Sequence, residues 1–104
     1  MNRANWMSYV VVLSAWVLWS ETFPPLGQKP GKEDWRILDA WETKAECIRG
    51  RSQFITDAMP NYRARNPSSQ IRATEKEILF EEDNKTLLTI TYHCLPDSID
   101  PRPR

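Results

Sequence analysis

Leu87-Leu88-Thr89-Ile90-Thr91-Tyr92-His93-Cys94-Leu95 is the stretch on which the fold turns. Leu88, Ile90, Tyr92 and Cys94 alternate with Thr89, Thr91 and His93, the two-residue period of a strand that buries one face. That apolar face carries a cysteine. The other cysteine, Cys47, follows Thr43-Lys44-Ala45-Glu46, which has the spacing of a helix-starting capping box. Cys47, Ile48, Phe54, Ile55, Ala58 and Met59 fall on one arc of a 3.6-residue wheel, and Pro60 ends the pattern, predicting a helix over about 43–59. Both cysteines therefore point, independently, to one helix–sheet interface.

Working outward, Ile78-Leu79-Phe80-Glu81 is strand-like and is joined to the Cys94 strand by Glu82-Asp83-Asn84-Lys85, a β-turn sequence, which predicts a hairpin. Residues 60–73 are polar, with two prolines and no sustained period, and read as a loop. Upstream of the helix, Trp35-Arg36-Ile37-Leu38-Asp39-Ala40-Trp41 has an extended pattern that puts Trp35, Ile37 and Trp41 on one side. Trp16-Val17-Leu18-Trp19-Ser20-Glu21 is a further short strand, antiparallel to it. Between them, residues 23–32 hold three of the eight prolines and two of the three glycines, so this segment is a loop. The expected fold class is α+β: strand, strand, helix, strand, strand, a mainly antiparallel sheet with one helix packed on one face. The domain spans 16–95, and 96–104 is an extended, proline-punctuated tail.

Length and composition agree with one small domain. The chain has 104 residues, with 14 basic and 14 acidic side chains and a hydrophobic fraction of 40%, too apolar for a disordered chain. Zero net charge gives no global field to attract nucleic acid or acidic lipid. A core of this size usually needs a covalent staple. Cys47 and Cys94 are far apart in sequence and lack the neighbours of a metal cluster, which suits one disulfide; two buried free thiols are the competing reading. Closing that loop stabilises a fold by roughly 4 kcal/mol in the chain-entropy model.

The N-terminus bears on the compartment. One Arg precedes an apolar stretch, Trp6 to Leu13, that ends in Ser14-Ala15 and reads as a secretory signal over 1–15, cleaved after Ser14 or Ala15. The uncharged run from Ala4 to Ser20 is shorter than the roughly 20 residues of a stable membrane span. An uncleaved short anchor and a buried N-terminal strand are the alternatives.

Three stretches, Ala15-Trp16-Val17-Leu18-Trp19, Trp41-Glu42-Thr43-Lys44-Ala45-Glu46-Cys47 and Tyr92-His93-Cys94-Leu95-Pro96-Asp97-Ser98-Ile99-Asp100-Pro101-Arg102, together resemble a group of small, uncharacterised exported bacterial proteins. The resemblance covers about a third of the chain, spread from end to end. It implies an exported, one-disulfide domain, carries no activity, and so assigns no catalytic residue.

Chemistry-bearing patterns are sparse. His93 adjoins Cys94, but successive strand residues point to opposite faces, so they do not form a nucleophilic pair. One His and two Cys cannot close a tetrahedral metal set. Glu81, Glu82 and Asp83 lack calcium-loop spacing, and no glycine-rich phosphate loop or nucleophile elbow is present. The expectation is a non-enzymatic protein without a cofactor.

Two surfaces remain as binding candidates. Trp16 and Trp19 are three apart and face opposite ways on a regular strand. The sheet face away from the helix therefore collects one of them together with Leu79, Leu87, His93 and Leu95, a surface suited to a homodimer, an envelope protein partner or a sugar. Alternatively, the 22–34 loop, with Phe23 and Leu26, covers this face. The second candidate is basic: residues 49–76 carry Arg49, Arg51, Arg63, Arg65, Arg72 and Lys76 against two carboxylates, while 77–100 carry six carboxylates against Lys85. Arg51 falls inside the apolar arc of the helix, where its stem can lie along apolar surface with its head in water, or, partly buried, its charge can meet a carboxylate or a ligand. The leading expectation is a small exported binding or envelope-accessory domain, periplasmic or secreted. The alternative is a cytoplasmic basic module that binds nucleic acid or an acidic partner through 49–76, a reading that export disfavours.

Overall fold

A computed structural model describes residues 15–23 and 31–103. The 1–15 signal reading, apart from Ala15, and the Leu26 part of the covering loop lie outside the described residues. Strand β1 (Trp16–Phe23) is followed by a short 3-10 turn (Lys32–Asp34), then β2 (Trp35–Trp41), helix α1 (Lys44–Arg65), β3 (Gln70–Ala73), β4 (Glu77–Glu82) and β5 (Lys85–Pro96). The five strands form one sheet in the order β2-β1-β5-β4-β3, every neighbouring pair antiparallel. This is the expected α+β class with one strand more than the sequence pattern suggests.

The helix starts where the capping spacing places it. The Thr43 hydroxyl oxygen accepts from the Glu46 N–H at 3.1 Å and donates to the Glu46 carboxylate at 2.9 Å. The end differs from expectation, because Pro60 lies inside α1, which runs on to Arg65. A proline there deletes a hydrogen bond and costs roughly 3 kcal/mol. The extra turn is held by Tyr62, whose ring meets Phe80 edge-on at 5.2 Å, and by Asn66, whose backbone N–H and side-chain amide both donate to the Tyr62 carbonyl. Pro60 faces solvent, where water can reach the carbonyl it leaves unpaired.

Cys47, Ile55 and Met59 are buried under α1 against Leu18, Ile71, Ile78, Phe80, Ile90 and Tyr92 of the sheet. Ile48 and Phe54, at the margins of the predicted arc, are exposed. A disulfide joins Cys47 to Cys94, with Cα atoms 6.0 Å apart, and ties the first turn of α1 to the central strand β5. Among the described residues no cysteine is free.

Two irregularities re-aim side chains. In the β1–β2 ladder the pairing steps from Leu18↔Asp39 to Trp19↔Ile37, leaving Leu38 as an extra residue. This bulge reverses the alternation, so Trp41 joins the helix-side core while Trp35 stays on the far side; the two do not share a face as a plain two-residue period implies. In the β4–β5 ladder Leu87 is skipped between Phe80↔Leu88 and Glu81↔Thr86. The hairpin turn between them has positive φ at both Asp83 and Asn84, as a two-residue turn with the twist of the flanking strands demands. Among the described residues no helix is long and apolar enough to cross a membrane.

Candidate functional site

The sheet face away from α1 is built by β1 and β5 at its centre. Trp19 and His93 are direct cross-strand partners, and Glu21 lies two residues further along β1 on the same face. His93 Nε2 is 2.9 Å from Glu21 Oε1, an ion pair when the imidazole is protonated. The Trp35 indole, brought to this face by the edge strand β2, stacks obliquely on the His93 ring at 5.3 Å and stands edge-on to Trp19 at 6.2 Å. The C-terminal segment closes the cluster. Asp97 N–H donates to the Ala15 carbonyl at 2.9 Å, and the Arg102 guanidinium lies 5.5 Å from the Trp19 ring centre, a cation–π contact. Asp100 orients that guanidinium through two bonds, at 2.9 and 2.7 Å, and Arg102 in turn holds the Asp100 carboxyl down at about 2, well below the usual carboxylate range.

Trp19 is consequently only 5% exposed. The five-residue cluster Trp19, Glu21, Trp35, His93 and Arg102 is a second layer on this face, in which Glu21, Trp35 and His93 are half-buried and Arg102 is exposed. Its cover comes from Trp35 and the tail, so 96–103 does not run free of the domain but returns to the sheet. The indole N–H of Trp19 is buried without a hydrogen-bond partner among the described residues.

The remaining expected site residues divide. Leu79 and Leu95 share the face of Trp19 and His93 and are half-buried. Trp16 does not join them: it packs against the helix-side core, with Lys44 Nζ 5.5 Å from its ring centre, because three residues on a strand reverse the side. Leu87 is also lost to this face, since the bulge turns it beside Leu88, Tyr62 and Phe80 on the helix side. His93 and Cys94 diverge as the strand period requires, one meeting Glu21 and the other closing the disulfide.

The basic residues do not converge on one patch. Arg49 and Arg63 are 14 residues apart on one helix, about 21 Å at 1.5 Å per residue, with Arg51 near the first and Arg65 near the second. Arg51 lies between Cys47 and Ile55 in the i, i+4 row that faces the sheet; it is half-buried, and its Nε is shielded from water without a partner among the described residues. Arg72 projects from β3 and is bonded to Glu81. Among the described residues no three His, Cys, Asp or Glu side chains gather to hold a metal ion.

Glu21, Trp35 and Arg102 were not singled out by sequence reasoning. The two-residue period does place Glu21 with Trp19 and Trp35 with Ile37 on one face, so two of the three are within its reach. Nothing in a proline-rich tail indicates that Arg102 would return to a tryptophan 83 positions earlier. No family model matches the chain, and neither a curated protein nor a solved structure matches it.

Proposed function

We propose that this chain is a small exported binding or envelope-accessory domain, without catalytic activity, that works in an oxidising compartment such as the periplasm. The observation that carries the reading is the Cys47–Cys94 bond: disulfides persist outside the reducing cytosol, and small exported domains use them to make up for a limited core. The resemblance to small exported bacterial proteins supports the same compartment. Binding is favoured over catalysis because the polar groups that meet are satisfied pairs. The sole histidine is engaged by Glu21, and the neighbouring sulfur is committed to a disulfide on the other face.

Mass analysis of the protein recovered from its native host tests this. A mature start near Trp16, with a mass two hydrogens below the reduced chain, is expected. An intact Met1 with two titratable thiols overturns the reading.

A further inference from the structure

The sheet ends in a short edge strand, β3, and α1 runs beside it. Between them lies a groove of about 730 Å³. Its floor is apolar, made by Ile55, Met59 and Ile71, and its helix wall is the row Ser52, Thr56, Pro60 and Arg63. From Ser52 to Arg63 that wall is about 16 Å long, the length of five residues of extended chain.

Among the described residues, no strand pairs with the outer edge of β3, whose backbone is open for bonding. Thr74 N–H donates to the Glu77 carbonyl at 2.9 Å, and on the other side of β4 Tyr92 N–H donates to the Lys76 carbonyl at 2.8 Å. These two bonds fix the alternation of the ladders. Gln70, Arg72 and Thr74 turn their peptide groups towards β4, so Ile71 and Ala73 turn theirs outward, to the free edge. Across the groove, Pro60 has no N–H to give, so the Thr56 carbonyl lacks its i+4 helical donor.

We propose that this groove takes an extended peptide from another protein, which adds as a sixth strand along β3. One edge of the peptide bonds the outward groups of Ile71 and Ala73, and the other edge donates an N–H to the Thr56 carbonyl. An apolar side chain fills the floor over Met59 and Ile71, and an acidic residue meets the exposed Arg63 at the end of the groove nearest Gln70. Glu75, at the opposite end, confines the acid to the Arg63 end. A second copy of this chain fits less well. The two-fold register that pairs both Ile71 and Ala73 with their counterparts sets Arg72 directly against its own symmetry mate, a like-charge pair across strands. The helix wall it would meet is polar, unlike the apolar core of a stable dimer interface.

The test uses amide exchange and titration with two acetylated, amidated peptides, Ser-Glu-Val-Thr-Val-Ser and its Glu→Lys counterpart. In the protein alone, the amides of Ile71 and Ala73 exchange fast and those of Arg72 and Thr74 slowly. The acidic peptide slows Ile71 and Ala73 at least tenfold and binds about tenfold tighter than the lysine peptide, and Arg63→Glu reverses that preference. Pro60→Ala restores the helix donor, so it raises the melting temperature while weakening the peptide several-fold, a combination that damage to the fold cannot produce. Equal binding of the two peptides, unchanged exchange at millimolar peptide, or protection of Ile71 and Ala73 that grows with protein concentration alone overturns the proposal; the last identifies a second copy as the occupant.

Discussion

The indole of Trp41 lies against the backbone of Gly50, so close that a Cβ at position 50 would overlap the ring. The contact carries α1 across the end of β2 just after the disulfide-bearing turn. It explains a glycine inside a helix, where the residue is unfavourable by about 1 kcal/mol relative to alanine. Gly50→Ala reverses the usual rule. Helix propensity favours it, but displacing Trp41 from a packed position costs roughly 1–3 kcal/mol, so the variant loses stability. Denaturant unfolding checks the sign; a gain in midpoint would show that the indole moves aside freely.

Cys47 and Cys94 join elements 47 positions apart. Reduction, or the double substitution to alanine, is expected to lower stability by roughly 4 kcal/mol if the unfolded chain is otherwise unconstrained. For a domain of this size that is a large share of the total. Melting with and without reductant measures it, and coincident curves would mean the cross-link adds nothing to packing already in place.

Tyr92 is 2% exposed, and burial, reinforced by the nearby Tyr62, pushes its phenol far above the ordinary value of 10.0. A folded-state value above the unfolded one makes the associated stability complete below pH 10 and lost progressively as pH rises beyond it, since only the unfolded chain then gains by ionising. Phenolate absorbance should show Tyr92 ionising together with alkaline unfolding, and Tyr92→Phe should remove this component of the pH dependence. Ionisation of Tyr92 in the intact fold would contradict the assignment.

Asn84 has φ 62° in the hairpin turn. Asn84→Val places a β-branched residue in the left-handed region and is expected to cost about 1–2 kcal/mol, whereas Asn84→Gly should match or exceed the parent. Thermal melts of the two variants decide it, and equal melting temperatures would place the turn outside the stability-determining part of the hairpin.

Several elements were readable from local chemistry alone. Thr43 and Glu46 mark the helix start, the Glu82–Lys85 turn marks the last hairpin, and the alternation through Cys94 marks the buried face. Other features came from tertiary context. The strand Gln70–Ala73 has a single buried side chain, Ile71, between polar neighbours, too little for a period to register. Pro60 is a sound stop signal locally, overridden by the packing of Tyr62 on Phe80. The bulges at Leu38 and Leu87 leave no mark in composition, yet each moves residues to another face, which is why Trp41 and Leu87 sit on the helix side. Of the expected binding surface, Trp19, His93, Leu79 and Leu95 do share a face, but Trp19 is covered in part by the tail residue Arg102, which periodicity cannot connect to it.

The strand order has a consequence for biogenesis. β1, made first among the described strands, lies inside the sheet, and one of its two neighbours is β5, the last of them, paired from Trp16↔Pro96 to Phe23↔Thr89. About seventy residues must leave the ribosome between the two halves of that ladder, and until they do neither the sheet nor the cross-link to Cys94 can close. Closure of this ladder, and of the cross-link with it, therefore waits on the emergence of β5 and cannot run ahead of it.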